Sequence, residues 1–170
     1  MIGAQPSPVL YVVVCAAGPA PGLGLLIQLA QADGWEVYVI ATPSALPFLD
    51  LDAIEAQLGG VPVFSEYRRP DEPKRQPPAD AAIVAPGTYN TINKWAAGIA
   101  DNYALGTLAE LTGLGLPIAL LPSVNDGLAA NRAYIRSLDE LRAAGIRVLP
   151  SPEGRDFPWH LPLAAVRRTT

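Results

Sequence analysis

Ala81-Ala82-Ile83-Val84-Ala85-Pro86-Gly87-Thr88-Tyr89-Asn90-Thr91-Ile92-Asn93-Lys94, continued by Gly98-Ile99-Ala100-Asp101-Asn102, is the stretch on which the fold turns. Ala81–Val84 is short and apolar throughout, the pattern of a strand covered on both faces. Small and hydroxyl residues follow it at once, so they fall at the carboxyl end of a sheet strand. Open α/β sheets bind their ligands there. Thr88, Asn90 and Thr91 add hydroxyl and amide groups to the free N–H donors that open the next helix. Such a set suits an anion or a polar ring edge.

Working outward, apolar strands alternate with helical stretches. Val9–Ala16 and Glu36–Thr42 read as the first two strands, separated by a helix over about Pro21–Asp33 with Pro21 in its first turn and Gly34 as its stop. Leu51–Leu58 is a short helix closed by Gly59-Gly60. Pro62–Tyr67 is expected as a third strand, Ala81–Val84 as a fourth and Pro117–Leu121 as a fifth. Asn131–Ala144 reads as an amphipathic helix, ended by Gly145 before a final strand, Ile146–Leu149. The expectation is a three-layer Rossmann- or flavodoxin-like α/β sandwich with a mostly parallel sheet of about six strands. Residues 1–150 form its domain, and 151–170 a proline-rich arm carrying Pro152, Pro158, Pro162 and Trp159.

Two segments depart from this pattern. The Pro21–Asp33 helix is apolar nearly all round, which predicts burial on both sides and a subunit interface. Arg68–Asp80 mixes Pro70, Pro73, Pro77 and Pro78 with charged residues and predicts a loop.

Half of the residues are hydrophobic and 16% are charged, against about a quarter in ordinary soluble domains. The low charge points the same way, to an exterior partly covered by other subunits. A net charge of −4 argues against a nucleic-acid partner, which needs a basic face. The basic pairs Arg68-Arg69, Lys74-Arg75 and Arg167-Arg168 read as solvated loop. Cys15 and His160 are the single members of their types, which excludes an internal disulfide and a His- or Cys-built metal cluster. Cys15 reads as a buried structural thiol. No apolar run approaches the ~18 residues of a membrane span, and no basic stretch precedes the first apolar segment, so no membrane partner and a cytoplasmic location are expected.

Three further segments fall at strand ends. Ala16, Ala17 and Gly18 are small enough for backbone N–H groups to approach a phosphate. Thr42 and Ser44 follow the second strand, and Ser123 and Asn125 the fifth. Each also has a plainer reading, with Thr88 and Asn90 as helix caps, Ser44 as a turn residue and Asn125 as an Asx turn before Gly127.

The Pro86–Asn102 string resembles the P-x-S-A-N-T-x-x-K…G-x-x-D-N segment of the FMN-binding flavoprotein decarboxylases, the family of the phosphopantothenoylcysteine and lantibiotic peptidyl-cysteine decarboxylases. Thr88 stands for its serine and Tyr89 for its alanine, while Pro86, Asn90, Thr91, Lys94, Gly98, Asp101 and Asn102 match. Ala16-Ala17 stands on the family's Gly-Ser pair, Thr42-Pro43-Ser44-Ala45 resembles its T-x-x-A turn, and Pro122-Ser123-Val124-Asn125 its P-A-M-N motif. The resemblance spans residues 9–150. It implies an FMN cradle made by Ala16, Ala17, Gly18, Thr42, Ser44, Pro86, Thr88, Tyr89, Asn90, Thr91 and Ser123. It also implies a small-molecule substrate whose carboxylate meets Asn125, and a homotrimer or a dodecamer of trimers. Tyr89 is placed near the ring or in packing.

The chain departs from the family at its chemistry. Ungapped alignment puts Glu72 where the decarboxylases have their histidine base, and in such a loop a solvated glutamate is the plainer reading. His160 reaches the site only if the arm folds back or comes from a neighbour. The cysteine-bearing substrate clamp has no counterpart after Pro150, and Val124, Leu128 and Ala129 replace the motif's methionine and its later Met-Trp pair. Three readings stay open: an FMN-dependent enzyme on a small carboxylate, a non-catalytic flavin-binding or regulatory protein, and a relative of the flavin prenyltransferases or the dipicolinate synthase flavoprotein subunit.

Overall fold

The computed structural model describes residues 6–154 and 156–167; Arg168 of the last basic pair and the remainder of the arm lie outside them. Strands β1 (Val9–Val14), β2 (Glu36–Ala41), β3 (Ala81–Gly87), β4 (Ile118–Pro122) and β5 (Arg147–Val148) form one sheet in the order β2-β1-β3-β4-β5. Every pairing is parallel. β1, β3 and β4 are buried along their whole lengths, as apolar strands between two helical layers must be.

Helices α1 (Leu23–Ala32), α2 (Leu51–Gln57) and α7 (His160–Val166) bury Leu23, Leu26, Ile54 and Leu163 in the core on one face. Helices α3 (Tyr89–Ala96), α4 (Tyr103–Gly113) and α6 (Arg132–Ala143) bury Ile92, Trp95, Leu105, Leu108 and Leu141 on the other. The short α5 (Asp126–Ala129) buries nothing. Side chains cap these helices where the sequence places Asp, Thr or Asn: Asp50, Thr88, Asn102, Asn125 and Asn131 each accept from a first-turn N–H. Each such cap contributes about 1 kcal/mol.

The sheet has five strands, one fewer than the sequence suggests. Phe64 makes a single bridge to Ile40, its N–H donating to Val39 and its carbonyl accepting from Ala41. Pro62 has no N–H to extend the ladder, and the Val63 N–H is drawn off to Glu55 Oε1 at 3.0 Å. Pairing therefore stops after one residue, and the chain leaves the sheet as the loop of residues 65–79.

α1 is buried along one face only within the chain; Leu25 is 51% exposed. The arm is held against the sandwich. Trp159 lies against Gly22, where an added Cβ would sit 3.3 Å from the indole Nε1. At the other end of α7, the Arg167 guanidinium donates twice to Asp33, at 2.5 and 2.8 Å. α7 thus runs parallel to α1, and its first residue, His160, is exposed at the carboxyl edge of the sheet.

Candidate functional site

Because β2, β1, β3 and β4 are adjacent and parallel, the segments that follow them share one rim. Short bonds tie them together: Thr42 N–H donates to the Val14 carbonyl at 3.0 Å, Cys15 N–H to Pro86 at 3.1 Å, and Ser123 N–H to Gly87 at 2.8 Å. Gly87 is required by packing. A Cβ there would stand 2.5 Å from Cδ1 of the fully buried Leu120, so any side chain at this position would force that leucine to shift.

Within the rim, Ala16, Ala17 and Gly18 form the turn between β1 and the first helical turn. Among the described residues their N–H groups have no hydrogen-bond partner, and a Cβ on Gly18 would meet nothing within 4 Å. Ser44 is exposed in the turn after β2, whereas Thr42 is buried. Pro86, preceded by a cis peptide bond, is buried in β3. Asn90 is exposed in the first turn of α3.

Three residues serve the scaffold. The Thr88 hydroxyl accepts from the Thr91 N–H at 3.4 Å and donates to the Thr91 hydroxyl at 3.3 Å. Thr91 is itself buried. Both threonines bond the Cys15 thiol, whose pKa burial pushes up and those bonds partly restore. Tyr89 stacks on Tyr134, with ring centroids 5.9 Å apart and planes 22° from parallel. Asn125 divides its amide: Oδ1 caps α5 by accepting from Leu128 N–H at 2.9 Å, and Nδ2 has no partner among the described hydrogen bonds.

The available donors are therefore three consecutive backbone amides, the Ser44 and Ser123 hydroxyls and the Asn90 and Asn125 amides. All are neutral, and the one carboxylate beside them is that of the exposed Asp126, which follows Asn125 at the start of α5. Convergent N–H and O–H groups of this kind fit a phosphate at one end and a ring edge rich in carbonyls at the other. The rim thus fits FMN by its donor chemistry. Lys94 and Asp101 form an ion pair of 2.5 Å just behind it, joining the end of α3 to the loop that opens α4.

Glu72 is elsewhere. It stands in the wall of a cavity of about 950 Å³ between the loop of residues 65–79 and α4, lined by none of the rim residues. Its carboxylate is engaged by Arg75 at 3.3 Å and by the Arg69 N–H at 3.2 Å. Tyrosines pin this loop: the Tyr11 hydroxyl donates to the Pro77 carbonyl at 2.6 Å, and the Tyr103 hydroxyl bonds Gln76 Oε1. Burial, followed by the neighbouring phenols of Tyr103 and Tyr38 and the carboxylate of Glu110, pushes Tyr11 up to about 12. Sequence reading missed both the Tyr89–Tyr134 stack and these tyrosine pins. Tyrosines at the start of β1 and α4, facing a proline-rich loop, were the available signal.

The family model described as Flavoprotein matches residues 5–160. Among curated proteins, the coenzyme A biosynthesis bifunctional protein CoaBC of Mycolicibacterium smegmatis is 31% identical over 132 residues, 75% of this chain and 31% of its own length. The corresponding Bacillus subtilis protein is 31% identical over 152 residues, 84% and 36% respectively. The chain thus spans about a third of these relatives. Among solved structures, the FMN-dependent cysteine decarboxylase TvaF from thioviridamide biosynthesis is 26% identical with a TM-score of 0.74, covering 94% of this chain and 95% of that one. The FMN-dependent cysteine decarboxylase SpaF has the same fold, with a TM-score of 0.75 at 23% identity over 95% and 97%.

Proposed function

The chain belongs to the flavoprotein family, and from that premise we propose that it binds FMN at the carboxyl-edge rim and acts on a small carboxylate-bearing substrate. One observation carries this reading: four strand-end segments, separated by up to about a hundred residues, converge with their donors free. The Ala16–Gly18 amides and the Ser44 hydroxyl hold the phosphate. Asn90 donates to the ring edge, and Tyr89, backed by Tyr134, walls that side. FMN, when bound, supplies two-electron redox chemistry. Asn125 orients the substrate through Nδ2, since capping α5 fixes Oδ1 and leaves that group as a donor toward a carboxylate. Subunits of a homotrimer or dodecamer cover the exposed apolar side of α1.

A second reading, a flavin-binding protein without catalysis, is favoured by Glu72. Its carboxylate is held by Arg75 and the Arg69 N–H, so the position aligned with the decarboxylases' base is occupied by a group already engaged. On either reading the chain releases no carbon dioxide from phosphopantothenoylcysteine.

The test is the visible spectrum of the purified protein and the mass of any chromophore that heat releases. Oxidised flavin bands with an FMN mass, lost or reduced in Asn90→Ala, are expected. A colourless protein that takes up no added FMN would overturn the proposal. Bleaching of the flavin by a carboxylate substrate selects the first reading, and a flavin inert to such substrates selects the second.

A further inference from the structure

We propose that the cavity between residues 65–79 and α4 is a second binding site, for a small organic anion that carries a flat ring. Its volume, about 950 Å³, is at the upper end of what small-molecule pockets enclose. The loop wall brings Arg68, Arg69, Lys74 and Arg75 against Glu66 and Glu72. The lining carries four cations and, with Glu110 on the helix side, three carboxylates, an excess of one positive charge; Glu66 and Glu110 also stand outside any ion pair among the described residues. Arg75 pairs with Glu72, and the Arg68 guanidinium is turned onto the carbonyls of Arg69 and Glu72, at 3.4 and 2.6 Å. Among the described residues, neither the Arg69 guanidinium nor the Lys74 ammonium has a carboxylate within 4.0 Å. Two uncommitted cations on one short loop are the recognition element for a carboxylate or phosphate. Glu110, the carboxylate on the helix side, faces the phenols of Tyr11 and Tyr103.

The ring is read from Tyr67. It meets Tyr103 edge-on at 5.2 Å and 78°, yet is 62% exposed. One aromatic face is held in place and another is left open to stack. Gly106 makes this possible, since a Cβ there would collide with the Tyr67 hydroxyl. The loop is also fixed before any ligand arrives, through Tyr11 to Pro77 and Tyr103 to Gln76, so little ordering cost is left to binding. None of this depends on flavin at the rim.

Isothermal titration of the purified protein with phenyl phosphate, phenol and inorganic phosphate tests the proposal. Phenyl phosphate is expected to bind saturably and more tightly than either fragment. The exposed double substitution Arg69→Ala/Lys74→Ala is expected to weaken it at least about tenfold, the effect of losing charge-assisted bonds. The rim substitution Asn90→Ala is expected to leave the affinity for phenyl phosphate unchanged, which separates this cavity from the rim. Three results would each overturn it: no binding of phenyl phosphate, equal affinity in the Arg69→Ala/Lys74→Ala variant, or a comparable loss of affinity in the rim variant Asn90→Ala. Inorganic phosphate binding as tightly as phenyl phosphate would overturn the role given to the ring.

Discussion

The rim and the roofed cavity are built in opposite ways. At the rim, every functional segment lies within a few residues of a strand buried throughout or, in β2, at all but its first residue, and the sheet's own ladder fixes its backbone. Over α4, the loop of residues 65–79 has no strand behind it beyond the single bridge at Phe64, and a few polar side chains hold it down. A site of the first kind inherits the stability of the core. One of the second kind is as firm as its individual hydrogen bonds.

The largest expected effect tests the first half of this contrast. Leu120 is fully buried and fills the space beside Gly87, so Leu120→Ala should lower stability by about 3 kcal/mol in urea denaturation. It should also loosen the β3–β4 junction beneath the rim while leaving the cavity's loop protected from amide exchange. A loss below about 1 kcal/mol would mean that the core does not hold the rim.

Next in size is an alkaline effect centred on Tyr11 in the cavity wall. Tyr11 has a folded pKa of about 12 against about 10 unfolded. The folded state therefore keeps this proton longer than the unfolded chain. Its contribution is complete below pH 10 and is lost as the pH rises through 12, about 1.4 kcal/mol of it by pH 11. Tyr38, raised chiefly by its bond to Glu36, adds to the same decline. Tyr11→Phe should flatten the fall in denaturant midpoint between pH 9 and 11, and an unchanged slope would remove Tyr11 as a pin.

A smaller effect belongs to the rim. Thr88→Ala removes the α3 cap and should cost about 1 kcal/mol, with Thr88→Ser restoring most of it. If serine fails to rescue, the threonine methyl rather than the cap is what matters. Smallest of all is Gly106→Ala. A helical alanine gains up to about 1 kcal/mol, which offsets the displacement of the Tyr67 ring, so the midpoint should hardly move. The Tyr67–Tyr103 contact should vanish from nuclear Overhauser spectra, and its persistence would show that the ring does not rest on Gly106.

The same contrast explains what could be read from the chain. Strands such as Val9–Val14 and Ala81–Gly87 announce themselves because burial on both faces leaves no polar position, and their ends carry the rim. Thr88 was legible both as a cap and as a ligand group, and Asn125 both as an Asx turn and as a carboxylate contact. The structure makes both of them caps, Asn125 keeping a free donor, whereas Asn90, also readable as a cap, lies inside the first turn of α3 behind the Thr88 cap. Pro62–Tyr67 misled because Val63 and Phe64 look like strand, while the diversion of one N–H to Glu55 depends on a helix folded beforehand. The tyrosine pins are contacts across 66 and 27 residues, and no local period records such pairs. Thr91 reads as a ligand hydroxyl in the motif string, but its burial on Cys15 is visible only once β1 and α3 are in place.

The parallel placement of α7 on α1 has a consequence for the order of assembly. Arg167 and Asp33 meet across 134 residues, so one core layer is closed by a segment synthesised long after the helix it covers. Leu23, Leu26 and the outward faces of β3 and β4 leave the ribosome well before Leu163 and Val166 arrive to shield them. A nascent chain stalled before Trp159 therefore presents an open apolar trough to chaperones and to its own neighbours, and the arrival of α7 converts that trough into an interior.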